Sequence, residues 1–236
     1  MERYSLTIGQ KTIDYTLQRR ERKHIRINVL PDLSVQVIAP LETQIDDIFY
    51  RVRKRATWIL KQQRYFEQFH PFEPDKDYTP GETHKYLGRQ YRLKVVEAEN
   101  NDVKLKGRYI FVFSNQKKDT QQTEKLLYEW YRKHAKKKYE LIIDKFIPKL
   151  SKYGISKPNL TIRRMKSRWG SCKADNKHIM LNLELVKTPV HCIEYVIMHE
   201  LCHLKHQKHT KEYYQFLTMM MPDWEKRKLR LEKAGL

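Results

Sequence analysis

His199 and His203 stand four residues apart with Glu200 between them, in a stretch that is otherwise rich in apolar residues: Val190, Ile193, Val196, Ile197, Leu201 and Leu204. On a helix, with His199 at zero, those apolar residues fall between about 60° and 200°, His203 at about 40° and Glu200 at about 100°. The chain must therefore bury one side of this helix while both imidazoles lie one turn apart along the edge of the buried stripe. Glu200 then stands between the histidines and the core. Two imidazoles at i and i+4 can share one ion, and the carboxylate between them can reach a water bound to it. Chance alone gives His-Glu-x-x-His an expectation of about 0.03 in a chain with this many His and Glu. The bland alternative is a pair of surface-edge histidines with a solvated glutamate. Thr188-Pro189 opens the helix, with Thr as N-cap and Pro at the first helical position.

A catalytic zinc takes three protein ligands and keeps a fourth position open. His206 lies on the same face, at about −20°, but about 10.5 Å along the axis from His199, so a straight helix cannot bring all three together. His209 can complete the set if the helix ends near residues 205–208 and the chain folds back. Glu212 and Glu225 are the competing donors. The spacing His199, His203, His209 equals that of H-E-x-x-H-x-x-G-x-x-H metallopeptidases, with His206 in place of the turn glycine; histidine tolerates positive φ better than most residues. Tyr195, at about −40° and one turn before His199, is placed to donate to an oxyanion, to brace a ligand, or simply to pack.

The rest of the chain bounds the setting. It has 236 residues, and 48 Lys+Arg stand against 28 Asp+Glu, a net charge of +20. Such a surplus attracts nucleic acids, nucleotides or acidic lipid surfaces, or is simply a lysine-rich surface. Three cysteines, Cys172, Cys192 and Cys202, are too few and odd in number for a disulfide framework and fit a reducing cytosol. No apolar run reaches the ~20 residues of a membrane span, and the first residues form no signal-peptide core, so a cytoplasmic protein without a membrane partner is expected. Alternating runs predict strands at 4–8, 13–17, 25–29 and 35–38, with Pro31-Asp32 as a turn, then a helix over 43–69 ended by Pro71 and Pro74. Further strands are expected at 91–96, 103–105 and 109–113. A polar connection over 114–122 precedes a long helix over about 123–150, whose Lys136-Lys137-Lys138 run lies near its polar face. Strand-like pieces follow at 159–163 and 178–183. The fold class is α+β: an N-terminal β-rich part with one helix, 1–118, then a helical part with a small sheet, 119–236.

Between the last two strands lies Arg164–Cys172. Its extended part, Arg168-Trp169-Gly170-Ser171, can pair with a peptide by strand addition. Alternatively, Trp169 anchors the core and Gly170 only permits a close turn. Arg163, Arg164, Lys166 and Arg168 would suit phosphate oxygens if the substrate were a nucleotide. Cys172 and Cys202 read as buried thiols, because Cys202 lies about 100° from His203 and no C-x-x-C spacing exists. His191 falls on the surface, and Met219-Met220-Met221 reads as apolar filling at a helix end.

These pieces carry a resemblance. Residues 164–172 (RMKSRWGSC), Leu181-Asn182-Leu183, 195–204 (YVIMHELCHL), His209-Thr210 and Pro222-Asp223 resemble the YgjP-like metallopeptidase family, related to the SprT-like zinc peptidases. The basic run 20–25, Trp58-Ile59-Leu60, Gly81-Glu82 and Tyr86-Leu87-Gly88 extend the resemblance over nearly the whole chain. Lys208, where the family more often has Asn, and Thr210, in place of Ser, depart from it at the turn. The resemblance implies a zincin-like domain over 119–236 with one zinc on His199, His203 and His209 and Glu200 as base. Three imidazoles suit zinc best but also accept cobalt, nickel or copper. Three functions follow: a cytosolic zinc metallopeptidase acting on peptide or protein, a metal-dependent nucleotide phosphohydrolase, and a basic nucleic-acid-binding module with a structural zinc.

Overall fold

The structure, a computed structural model, describes residues 2–9, 11–30, 32–67, 76–165 and 168–233. The chain forms two compact units, Met1–Glu73 and Pro74–Leu236.

In the first unit, β1 (Glu2–Ile8), β2 (Lys11–Arg19), β3 (Arg26–Val29) and β4 (Val35–Ala39) form a sheet of order β1-β2-β4-β3, and α1 (Ile45–Glu67) follows. Alternation decides which face is covered. Ile13, Tyr15 and Leu17 of β2 and Val35, Val37 and Ala39 of β4 are buried with Ile48, Val52, Ala56 and Ile59 of α1 in one core. All four expected strands and the helix are present. Pro31, Pro71 and Pro74, expected to turn or stop the chain, lie outside the described residues.

The second unit contains two sheets. β5 (Thr83–Tyr86), β6 (Arg89–Glu97), β7 (Asp102–Lys106) and β8 (Tyr109–Ser114) are ordered β5-β6-β8-β7. β9 (Asn159–Arg163), β10 (Gly170–Lys173) and β11 (His178–Asn182) are ordered β10-β11-β9, so β10 is an edge strand. Between them runs α2 (Thr120–Leu150), and α3 (Val190–Cys202), α4 (Lys211–Met220) and α5 (Trp224–Glu232) complete the unit. Leu93 and Val112 of the first sheet, Leu127 and Tyr131 of α2 and Ile197 of α3 belong to one core. That shared core is why the division falls at residues 73/74 and not at the expected 118/119: the β5–β8 sheet packs with the helices that follow it. β5 and β10 escaped the hydropathy reading because Thr-His-Lys-Tyr and Gly-Ser-Cys-Lys carry no apolar alternation.

α2 begins three residues before the expected start because Asp119 caps it, accepting hydrogen bonds from the amides of Gln121 (2.9 Å) and Gln122 (3.0 Å). It then works as a strut. Tyr131 donates its hydroxyl to the carbonyl of Lys85 (2.8 Å), and Tyr139 to that of Asn182 (3.0 Å), tying one sheet to each side. The entrance of α3 is fixed differently from expectation. Thr188 donates to the carbonyl of Leu185 (2.9 Å) instead of capping, and Pro189 itself occupies the cap position. The Leu87-Gly88 turn of the β5–β6 hairpin, with φ of 48° and 80°, docks here, its two amides donating to the carbonyls of Val186 (2.9 Å) and Lys187 (3.1 Å). A Cβ on Gly88 would stand 2.8 Å from the Cα of Pro189, so only glycine allows this approach.

Candidate metal centre

α3 carries His199 and Glu200 and ends at Cys202, earlier than the window expected from spacing. The amides of Leu204 and Lys205 donate to the carbonyls of Leu201 and Cys202 (both 3.1 Å), and that of His206 to Cys202 (3.0 Å). This tightening reverses the chain without a left-handed residue: the non-glycine positive-φ residues among those described are Leu33, Tyr78, Leu87 and Lys177. His206 therefore needs no glycine-like conformation. The chain returns through His209 and enters α4 at Lys211.

The reversal brings three ring nitrogens together. His209 Nε2 lies 3.1 Å from His203 Nε2 and 3.1 Å from His199 Nε2. Ligands about 2.0–2.1 Å from a tetrahedral ion would stand about 3.3 Å apart, so the donor set fits a zinc-sized cation. His199, His203 and His209 form the one cluster of three potential ligand groups among the described residues; neither Glu212 nor Glu225 joins it. Burial, then the neighbouring His203 and His209, push the His199 imidazole down to about 3, and burial lowers His203 as well. Both are thus neutral at physiological pH, the form a cation needs. His203 donates from Nδ1 to the carbonyl of His206 (3.0 Å), which leaves Nε2 as the free donor atom.

Aromatic rings pack around the three imidazoles. Tyr213, fully buried, stacks on His203 at 4.6 Å and meets His209 at 4.8 Å and His199 at 5.4 Å, edge to face. Its hydroxyl donates to the carbonyl of His199 (3.1 Å). Tyr195 presents an edge to His199 (5.8 Å) and stacks on Trp224 (6.4 Å). It is buried and does not line the cavity.

Glu200 is 5% exposed, and its Oε2 has no hydrogen-bond partner among the described residues. Burial pushes its carboxyl up to about 8, against a smaller opposing pull from Arg168. Gly170 lies directly against it: a Cβ there would be 2.6 Å from Glu200 Oε1. A cavity of about 530 Å³ opens over the three histidines and Glu200, walled by the edge strand from Gly170 and Ser171 to Lys173 and by the following turn to Asn176.

The remaining candidates separate. Gly170 and Ser171 line the cavity; Arg164, Arg168 and Trp169 do not. Arg164 is engaged elsewhere, 3.0 Å from Glu124 and 3.3 Å from Glu184, with its guanidinium 4.3 Å above the Tyr128 ring. Trp169 is half-buried and packs on the core. Lys166 lies outside the described residues. Buried Asn182 holds the segment in place, donating to the carbonyls of Met165 (2.8 Å) and Arg168 (2.9 Å) while its own amide donates to that of Trp169 (2.8 Å). Cys202 is buried as expected, but Cys172 is half-buried and lines the cavity, because β10 is an edge strand with one face on the site. His191 is exposed, and Met220 and Met221 are buried while Met219 is 49% exposed. Lys173 to Asn176, Gln207 and Tyr213 were not singled out from sequence, and Asn182 entered only within Leu181-Asn182-Leu183. Tyr213 alone had a signal, lying four residues after His209 and thus one turn on if that stretch is helical.

No helix among the described residues is long and apolar enough to cross a membrane. No curated protein matches the chain. The YgjP-like, metallopeptidase domain family matches residues 23–234, nearly the whole length. The chain, with its histidine cluster and the buried glutamate beside it, belongs to that family of metallopeptidase domains.

Proposed function

We propose that this metallopeptidase domain is a cytosolic zinc peptidase in which His199, His203 and His209 hold one ion and Glu200 is the general base. The observation that carries the proposal is the opening of three mutually close ring nitrogens and a buried, partnerless carboxylate into one cavity. Zinc held there supplies a Lewis acid for the scissile carbonyl and lowers the pKa of water. Glu200 takes the proton from the attacking water and delivers it to the leaving amine; burial raises its proton affinity and so its strength as a base once ionised. Gly170 leaves room for that carboxylate. The edge of β10 offers main-chain groups to an extended peptide beside it, with Gly170 and Ser171 both lining the cavity. Tyr195 and Tyr213 position the ligand rings. Three free thiols suit a reducing compartment.

Nucleotide hydrolysis is less well supported, since Arg164 is already paired with two carboxylates and neither it nor Arg168 lines the cavity. A purely structural zinc is also disfavoured, because such sites are closed and this one opens on a cavity. Elemental analysis with peptide hydrolysis tests the proposal. Wild type should carry about one zinc per chain, His209→Ala should lose most of it, and Glu200→Gln should keep the zinc while losing hydrolysis. Full zinc in His209→Ala, or full activity in Glu200→Gln, overturns the assignment.

A further inference from the structure

The first unit carries a surface unrelated to the metal centre. α1 spends one side on its own sheet through Ile48, Val52, Ala56 and Ile59. From Phe49 to Phe66 its sequence contains six cations and no acid. Taking the buried residues as the inner face, Arg51, Arg53, Lys54, Lys61 and Arg64 all project from the outer half of the helix, and all are exposed. None of them forms an ion pair among the described residues, whereas Arg164 and Arg227 of the second unit each hold two carboxylates. Asp46 and Asp47 sit in the first turn, where they complement the helix dipole.

Two aromatic side chains interrupt the cations. Tyr50 is 62% exposed and Trp58 39% exposed, and Lys54 Nζ lies 6.0 Å from the Tyr50 ring. The rings are separated by about 12 Å along the helix axis, and the stretch from Tyr50 to Arg64 spans about 21 Å. Unpaired cations attract a chain of phosphates; exposed rings among them offer faces on which bases stack. An anionic membrane would be held by charge alone, because the apolar side of the helix is already buried against the sheet and cannot insert. Stacking needs unpaired bases, which a duplex withholds.

We infer that the outer face of α1 binds single-stranded nucleic acid, with Arg51, Lys54 and Lys61 on phosphates and Tyr50 and Trp58 under bases. The test uses the full chain and a fluorescein-labelled oligothymidine of about 20 nucleotides, titrated by anisotropy at several salt concentrations between about 50 and 300 mM. Wild-type affinity should fall with salt at a slope of about −0.7 per phosphate neutralised. The triple reversal Arg51→Glu, Lys54→Glu, Lys61→Glu should weaken binding at least about 100-fold and flatten the slope by about 2. Trp58→Ala should lose about 5- to 100-fold with the slope unchanged, the signature of stacking without charge. If the triple variant fails to fold, Tyr50→Ala and Trp58→Ala read the same surface singly. Undiminished affinity in these variants, tighter binding of a duplex of equal length, or binding to phosphatidylserine vesicles but not to the oligonucleotide overturns the inference.

Discussion

Gly170→Ala is the substitution whose effect the geometry predicts most directly. Gly170 does not occupy the left-handed region, so alanine faces no backbone penalty there. The obstacle is Glu200 alone: the added Cβ would stand 2.6 Å from Oε1, 2.8 Å from Cγ and 2.9 Å from Cδ. Ordinary contacts lie at about 3.5–4.0 Å, so the carboxylate must retreat by roughly 1 Å. A displacement of that size costs on the order of 100-fold in rate, or about 2.7 kcal/mol of transition-state stabilisation. The fall should appear in kcat against a peptide that wild type cleaves, with zinc content by elemental analysis unchanged because no histidine has moved. Overpacking should also cost about 1–3 kcal/mol of stability in urea denaturation. A double-mutant cycle isolates the cause: in a Glu200→Ala background the same glycine change should cost almost nothing, because the side chain it collides with is gone. Full activity in Gly170→Ala, or an undiminished stability cost in the Glu200→Ala background, refutes the reasoning.

Two further outcomes concern the same unit. In the metal-free protein the Glu200 carboxyl is raised from 4.5 to about 8, so the unfolded chain ionises first and stability falls as pH rises from about 4.5 through 8. Glu200→Gln removes that loss; urea denaturation of metal-free protein should show it more stable than wild type by a few kcal/mol at pH 8.5 and about equal at pH 4.5, whereas a gap independent of pH contradicts the assignment. Gly88→Ala combines a φ of 80° with a Cβ 2.8 Å from the Pro189 backbone, and should destabilise the second unit by more than about 1 kcal/mol, read as a lowered Tm; an unchanged Tm would mean that the hairpin docks more loosely than the two hydrogen bonds indicate.

Much of this was legible in the residues. The period-2 runs of β2 and β4 and the apolar spacing of α1 and α3 each mark a face that must be buried, and those elements stand where the patterns placed them. The His199-Glu200-x-x-His203 spacing placed the two imidazoles and the carboxylate at the end of one helix. Sequence failed where short-range hydrogen bonds decide. The exit from α3 is set by carbonyls at Leu201 and Cys202 that capture amides three and four residues on, and no residue type announces it. The domain boundary was misplaced because a change in local composition at 114–122 is not a change in core: Leu93 and Val112 are buried with the helices beyond it. Tyr213 and Asn182 hold the site through contacts that join distant parts of the chain, and such pairings leave no periodic trace.

The two hydrophobic cores have no side chain in common, one drawn from Tyr4 to Leu60 and the other from Tyr78 to Leu231. Damage to one core therefore removes no side chain from the other. Heating the chain should then trace two events whose enthalpies scale with the two units, so that a single melting temperature describes neither. Val37→Ala, which hollows the first core, should lower the event of the first unit and leave that of the second where it was. Selection can accordingly retune the charged residues of α1 without changing any side chain of the core that carries Glu200, and the reverse.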